Sequence, residues 1–384
     1  MIRNTSYIEL SKDAVERNVK FIKKLIGPEV IFSSVVKGNA YGHGIEMYCP
    51  LAYEYGVRHF SVSDANEAYR VKNALPVKDC PIMIMGMIEN QQLEWAVEND
   101  IEFYVFEESR LEAALEAAIK VGKKASIHLE VETGMNRTGI DKKDFKKVVK
   151  FINEHHKFIE VKGMCTHLAG AESIANYKRI KDQRQSFKEY IKKADKLDFN
   201  YGSLHMASSS ATIRYPKTRY DLVRVGILQY GFFPTEEIWV HYFEKNKPKE
   251  YPMDRIVSWK SQVMDVKEIP PGEFIGYGTS FFTNTTTKIA IIPIGYSSGY
   301  SRALSNRGKV LINGKRLDVI GTVNMNMMAV ELSTAPEVKK GDEVVLIGKQ
   351  GDQEIGVSSF SDFSQLINYE LLTRLPQNID RIVV

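Results

Sequence analysis

At 384 residues the chain is longer than one ordinary hydrophobic core, so two domains are expected. With 43% hydrophobic and 26% charged residues, and a net charge of +4 spread along its length, it reads as globular and lacks the basic, aromatic-interleaved block of a nucleic-acid binder. It shows neither a signal peptide nor an apolar run long enough to cross a membrane, and its three scattered cysteines, Cys49, Cys80 and Cys165, imply reduced thiols in a cytoplasmic protein with no metal site.

In chain order, Ser11 can cap a first helix whose apolar positions Val15, Val19, Ile22 and Leu25 share a face, before Gly27-Pro28 ends it. Strand-like runs then follow at Ile31–Val36, His59–Ser63, Pro81–Met85, Ile101–Phe106, Ala125–Val131, Val161–His167, Tyr201–Met206 and Leu222–Val225. Helical stretches separate them; in one, Leu111, Leu115, Ala118 and Ile119 form a stripe. Alternating strands and helices of this number predict a (β/α)8 TIM barrel over residues 8–235. A doubly wound sheet is the competing architecture, but no GxGxxG follows the first strand. Beyond residue 235 prolines punctuate the chain, and short runs predict strands at Ile256–Val266, Lys288–Ile294, Lys309–Ile312, Asp318–Val323, Met328–Leu332 and Glu343–Ile347. Residues 236–384, together with residues 1–7, are thus expected to form a mainly antiparallel β domain.

In a TIM barrel the chemistry sits at the C-terminal ends of the strands, with phosphate often held after strands seven and eight. That rule gathers Lys37, Arg137, His167, the Ser208-Ser209 helix start, Arg224 and Gly226-Ile227 at one mouth. An amine, two guanidiniums, an imidazole and hydroxyls suit an anionic, phosphorylated carbonyl compound. Lys37 ends an apolar strand, where desolvation lowers its pKa and releases some of the free amine that attacks carbonyl groups.

The string SSVVKGNAYGHG around Lys37 resembles the cofactor-lysine segment of the alanine racemases, pyridoxal-phosphate enzymes of fold type III. The resemblance spans nearly the whole chain and is weakest between about Glu236 and Lys249. HLEVETGMNRTGI, THLAG, HMASSSATIRYP and LVRVGILQYG match further segments, as do IGYGTSF, IPIGYSSGYSRAL, GTVNMNMMAV and INYE. The resemblance implies pyridoxal 5'-phosphate carried covalently by Lys37, with Arg137 at its phenolic oxygen, Arg224 at its ring nitrogen, and His167 and Tyr41 lining it. It further implies that Ser209, Gly226, Ile227 and Tyr369 hold phosphate, and that Arg137, Met325 and Tyr296 meet the substrate. Racemisation at Cα needs bases on opposite faces, and the resemblance assigns them to Lys37 and Tyr277. It also implies a homodimer in which the tyrosine base comes from the partner's β domain.

The chain departs from the family at three places. Glu130 stands where many members have a carbamylated lysine, and is expected to be the fixed anion that orients Arg137. Asn326 follows Met325 where aspartate is usual, and Ser297-Ser298 replace Ala-Asp on the expected access path. The reading is therefore an amino-acid racemase acting on alanine, with a broad-specificity or non-alanine racemase as the alternative. A fold type III decarboxylase, which would place an acidic group at the ring nitrogen, and a non-catalytic cofactor-binding protein fit less well.

Overall fold

The computed structural model describes residues 4–360 and 368–384; Met1–Arg3 and Ile367, the first residue of the INYE string, lie outside. Contacts divide the described chain into two compact units that interleave along the sequence instead of meeting at one boundary near 235. One comprises residues 13–37 and 48–254, the other residues 1–12, 38–47 and 255–384.

The first unit is the barrel. After β1 (Ser6–Leu10), which belongs to the other unit, come β2 (Ile31–Val35), β3 (His59–Val62), β4 (Ile82–Ile84), β5 (Glu102–Val105), β6 (Ala125–Glu130), β7 (Ile159–Cys165), β8 (Ser203–His205) and β9 (Leu222–Val225). They pair in parallel in the order β8-β7-β6-β5-β4-β3-β2-β9. Two backbone bonds, Asp221 N to Leu204 O (3.1 Å) and Arg224 N to Ala207 O (2.9 Å), draw the β8 and β9 ends together. The TIM-barrel expectation holds.

Two helix faces differ from the sequence reading. The helix Lys12–Ile26 buries Val15, Val19, Ile22 and Ile26, so Ile26 replaces Leu25 on the inner stripe, as a spacing of four, three and four requires at 100° per residue. In the helix Glu108–Val121 the buried face is Leu111, Ala114, Ala117 and Ala118, whereas Ile119 is exposed. The alanines let the helix approach the sheet closely, which the larger apolar side chains cannot do. A further helix, Glu236–Asn246, clusters with the barrel; its sequence gave no strand, and Thr235 caps it by accepting from Ile238 N at 3.3 Å.

The second unit is a sheet ordered β11-β12-β15-β14-β13-β16-β10-β1-β18, with β17 added at β16. Its members are β10 (Val257–Gln262), β11 (Asp265–Ile269), β12 (Thr287–Ile292), β13 (Lys309–Ile312), β14 (Lys315–Ile320), β15 (Met328–Glu331), β16 (Glu343–Gln350), β17 (Gln353–Ile355) and β18 (Asp380–Val383). All pairs are antiparallel except β1 with β18. The single strand expected over Ile256–Val266 is two: Val263 N turns to Asp342 O and Met264 N to Ile291 O, so the chain leaves one partner set for another at that point. Asn313-Gly314, both at positive φ, close the two-residue hairpin between β13 and β14.

Candidate active site

Within the barrel unit the strand ends bring together four of the expected residues. Lys37 follows β2, whose final carbonyl, Val35 O, accepts from Gln229 Nε2 (2.9 Å) and from Tyr230 OH (3.1 Å). Those two side chains pin the strand end and therefore the lysine. Gln229 is itself held, its Oε1 accepting from Ser34 Oγ at 2.6 Å and Tyr48 OH at 2.9 Å. Although Lys37 keeps some exposed surface, burial of its amine, then the charge of Arg137, and less strongly that of Arg224, push its pKa below the ordinary value, while Glu67 opposes them. His167 is driven to about 3 by burial, then by Arg224, Arg137 and Lys37, so its imidazole is neutral. One amine, two guanidiniums and one neutral imidazole thus lie within electrostatic reach of one another.

Arg224 is buried on β9, where its Nη2 donates to Thr166 O at 2.8 Å. Ser209 Oγ accepts from Gly226 N at 3.0 Å, so the expected phosphate residues meet, with the Gly226 N–H engaged by the serine instead of being open. Ile227 lies buried beside them. Arg137 sits on the exposed loop after β6. Glu130, at the end of β6, is buried, and burial raises its pKa. Its strongest opposing partner is the Thr138 hydroxyl, followed by Arg224 and only then Arg137. The carboxylate therefore faces the Thr138 hydroxyl and the charges of both Arg224 and Arg137.

The remaining residues lie in the other unit. Immediately after Lys37, Gly38, Asn39, Ala40 and Tyr41 all have positive φ (63°, 56°, 54° and 52°), a single left-handed turn that L-residues adopt only under constraint. Gly42 N closes it on Gly38 O at 2.9 Å, and Asn39 Oδ1 accepts from Ile45 N at 3.2 Å. Gly42 is required here: a Cβ would lie 1.9 Å from Leu372 O. The turn delivers Tyr41 edge-on to Tyr369, with ring centroids 6.4 Å apart, and burial followed by the Tyr369 charge raises the Tyr41 phenol to about 12. Tyr296 and Met325 are brought side by side by Tyr296 N to Asn324 O (3.0 Å) and Ser297 N to Met325 O (3.0 Å). The two departures Ser297 and Asn326 are one feature, since Asn326 Nδ2 donates to Ser297 Oγ at 2.8 Å. Tyr277 is 75% exposed, and its carbonyl accepts from Thr322 Oγ1 at 3.2 Å.

Sequence reasoning passed over Gln229, Tyr230 and a polar layer inside the barrel. His59, Glu102, His128 and His205 are buried on β3, β5, β6 and β8. The signal was available: the strands of an enclosed parallel sheet read as continuous apolar runs, and Glu102 within Ile101–Phe106 breaks that rule. Among the described residues, His59, Glu102 and His128 are the group whose ligand atoms lie close enough, within 4.8 Å, to hold a metal ion.

Comparison with known proteins fits this geometry. A sequence profile described as alanine racemase, N-terminal domain, matches residues 10–234, and one described as alanine racemase, C-terminal domain, matches residues 256–383. The chain belongs to the alanine racemase family. The alanine racemase of Leptospira interrogans is 32% identical over 381 residues, covering 99% of this chain and 96% of the relative. That of Methanococcus maripaludis is 32% identical over 384 residues, covering 100% and 99%. Among solved structures, the alanine racemase from Bacillus anthracis with bound L-Ala-P superposes with a TM-score of 0.88 at 31% identity, covering 100% of this chain and 96% of that one. The enzyme from a D-cycloserine-producing Streptomyces lavendulae gives 0.90 at 27% identity, with 100% and 98% covered. Membership makes this chain an isomerase of the racemase class.

Proposed function

We propose that this protein is an alanine racemase that uses pyridoxal 5'-phosphate to interconvert L- and D-alanine. The observation that carries the reading is the Lys37 amine, desolvated and flanked by Arg137 and Arg224 at the mouth of the barrel. The residues fit the cofactor: the cations suit a phosphorylated anion, Ser209 offers a hydroxyl, and a partly deprotonated lysine can bond its carbonyl. When bound, the cofactor supplies a carbonyl to capture the substrate amine and a sink for the electrons left at Cα.

In this proposal Lys37 holds the cofactor and then moves the Cα proton on one face, while Tyr277 does so on the other. Arg224, which has only donors, would hold the ring nitrogen and keep it unprotonated. By donating without giving up its proton, Arg224 would favour return of the proton to Cα. Neutral His167 and Tyr41 would line the ring, and Ser209, Gly226, Ile227 and Tyr369 would hold the phosphate. Arg137 takes the substrate carboxylate, with Met325 and Tyr296 around the substrate side chain. The exposure of Tyr277, Phe274, Phe282 and Met327 supports a homodimer in which the partner supplies the second base. The Cys80 and Cys165 thiols suit a reducing cytoplasm.

A broader substrate range is a second reading, and the Asn326–Ser297 bond supports it, because a neutral amide tied to a hydroxyl stands beside Met325 where the family resemblance implies a charged aspartate. The purified protein, incubated with pyridoxal phosphate and each of a panel of L-amino acids, should form D-alanine fastest by chiral chromatography. Comparable rates for larger side chains would favour the second reading. No conversion of alanine in cofactor-loaded protein would overturn the first.

A further inference from the structure

The interior of a TIM barrel is normally filled by branched aliphatic side chains. Here a file of ionisable groups crosses it, and its geometry fixes every proton. Arg224 Nη1 lies 2.6 Å from His205 Nδ1. A guanidinium can only donate, so Nδ1 accepts and the His205 proton resides on Nε2. That nitrogen lies 2.9 Å from His128 Nδ1, which must accept in turn. The His128 proton is then on Nε2, 2.8 Å from Glu102 Oε2. His59 Nε2 reaches the same oxygen at 3.2 Å, and its Nδ1 accepts from Ser33 Oγ at 2.8 Å. The file ends in a cation at the barrel mouth and an anion in the core, joined by two imidazoles that each donate in the same direction.

Other features support a built device. Glu102, His128, His205 and Arg224 are all at least nine-tenths buried. A Cβ at position 163 would stand 2.5 Å from His128 Nδ1, so β7 carries glycine where the imidazole must pass. Burial lowers the pKa of both His128 and His205, and the bonds from His128 and His59 hold Glu102 ionised. A half-satisfied buried network is costly, whereas one in which each donor meets an acceptor is rigid.

We propose that Glu102, acting through His128 and His205, is the positioning residue for Arg224. It fixes both imidazole tautomers, compensates the buried guanidinium charge, and so holds Arg224 toward the ligand space at the barrel mouth. His59 is a side branch that steadies Glu102. The proposal rests on the racemase reading only for what Arg224 faces; the proton arrangement stands without it.

The test is side-chain nitrogen NMR of protein labelled in its histidines, with pyridoxal phosphate titrated alongside. In the parent protein near neutral pH, His128 and His205 should each show a protonated Nε2 and a bare Nδ1. A charged imidazolium or the opposite tautomer at either would overturn the proposal, with no variant needed. Glu102→Gln keeps the shape and one acceptor but removes the charge. It should mix the His205 tautomers, two links away, and weaken pyridoxal phosphate binding roughly tenfold. His59→Asn, which keeps the bonds from Arg224 through to Glu102 and removes one of the two imidazole donors to that carboxylate, should move both readouts far less than Glu102→Gln. If Glu102→Gln leaves both readouts unchanged, or His59→Asn changes them equally, the relay is merely structural. Stoichiometric zinc retained by the parent and displacing the Nε2 protons of His59 and His128 would show a metal site instead. Failure of the racemase assay with the parent tautomers as stated would refute the functional reading and leave the relay standing.

Discussion

The barrel mouth and the aromatic surface of the β unit hold the two halves of the candidate machinery, and they are built in opposite ways. Lys37 follows a strand end pinned through Gln229 and Tyr230, Arg224 is buried and bonded to Thr166 O, and the surrounding cations lower the pKa of Lys37 and His167. Tyr277, Tyr296, Met325 and Tyr369 are exposed within their own unit, and are ordered chiefly through backbone bonds. The first set is preorganised by a core that must fold that way whether or not a ligand arrives. The second is presented, with its phenol and thioether surfaces still open to another molecule. Altering the enclosed set should therefore disturb chemistry and cofactor retention together, whereas altering the presented set should touch chemistry alone.

The largest expected effect separates the two directly. Lys37→Ala should lower racemisation by roughly 10³-fold or more, the scale of a lost catalytic base that also tethers the cofactor. Dialysed variant should retain no pyridoxal phosphate, as measured by absorbance after acid release. A borohydride-reducible adduct persisting in the variant would assign the tether to another lysine. Next in size, Tyr277→Phe should slow solvent deuterium entry by roughly 10²-fold from one enantiomer of alanine and far less from the other. Since the ring is 75% exposed, its unfolding free energy should stay within about 0.5 kcal/mol of the parent. Equal small losses for both enantiomers would make Tyr277 structural and break the contrast.

The smallest effect concerns Glu130, the buried carboxyl at the end of β6. Burial holds its folded-state pKa above the ordinary 4.5. The folded protein thus keeps this proton longer than the unfolded chain, so Glu130 costs stability as pH rises from about 4.5 through the raised value. Glu130→Gln removes that loss. Its urea midpoint should match the parent at pH 4 and exceed it progressively above, while alanine KM changes only modestly because Thr138 and Arg224 face the carboxyl as well as Arg137. A variant less stable than the parent at pH 8 would show that the carboxylate is a net stabilising anion.

Periodicity and residue type decided much of this protein from the sequence alone. Eight apolar runs of strand length, each leading into a helix, admit few arrangements besides a barrel, because right-handed crossovers bury both faces of a parallel sheet. Strand ends then name their own chemistry, which is why Lys37, His167 and Arg224 could be gathered before any fold was seen. Tertiary structure decided what local pattern cannot carry. The left-handed turn from Gly38 to Tyr41 follows from bonds closed by residues beyond it, and Gly42 owes its necessity to Leu372 O, more than 300 positions away. The division of the chain was likewise hidden, since residues 38–47 cluster with strands past 255 and the helix at 236–246 with the barrel. Glu102, His128 and His205 were visible as polar breaks in apolar strands, but their meaning depended on distance. A histidine proton is assigned by what stands within 3 Å of each nitrogen, and that is a property of the closed barrel and not of the chain order.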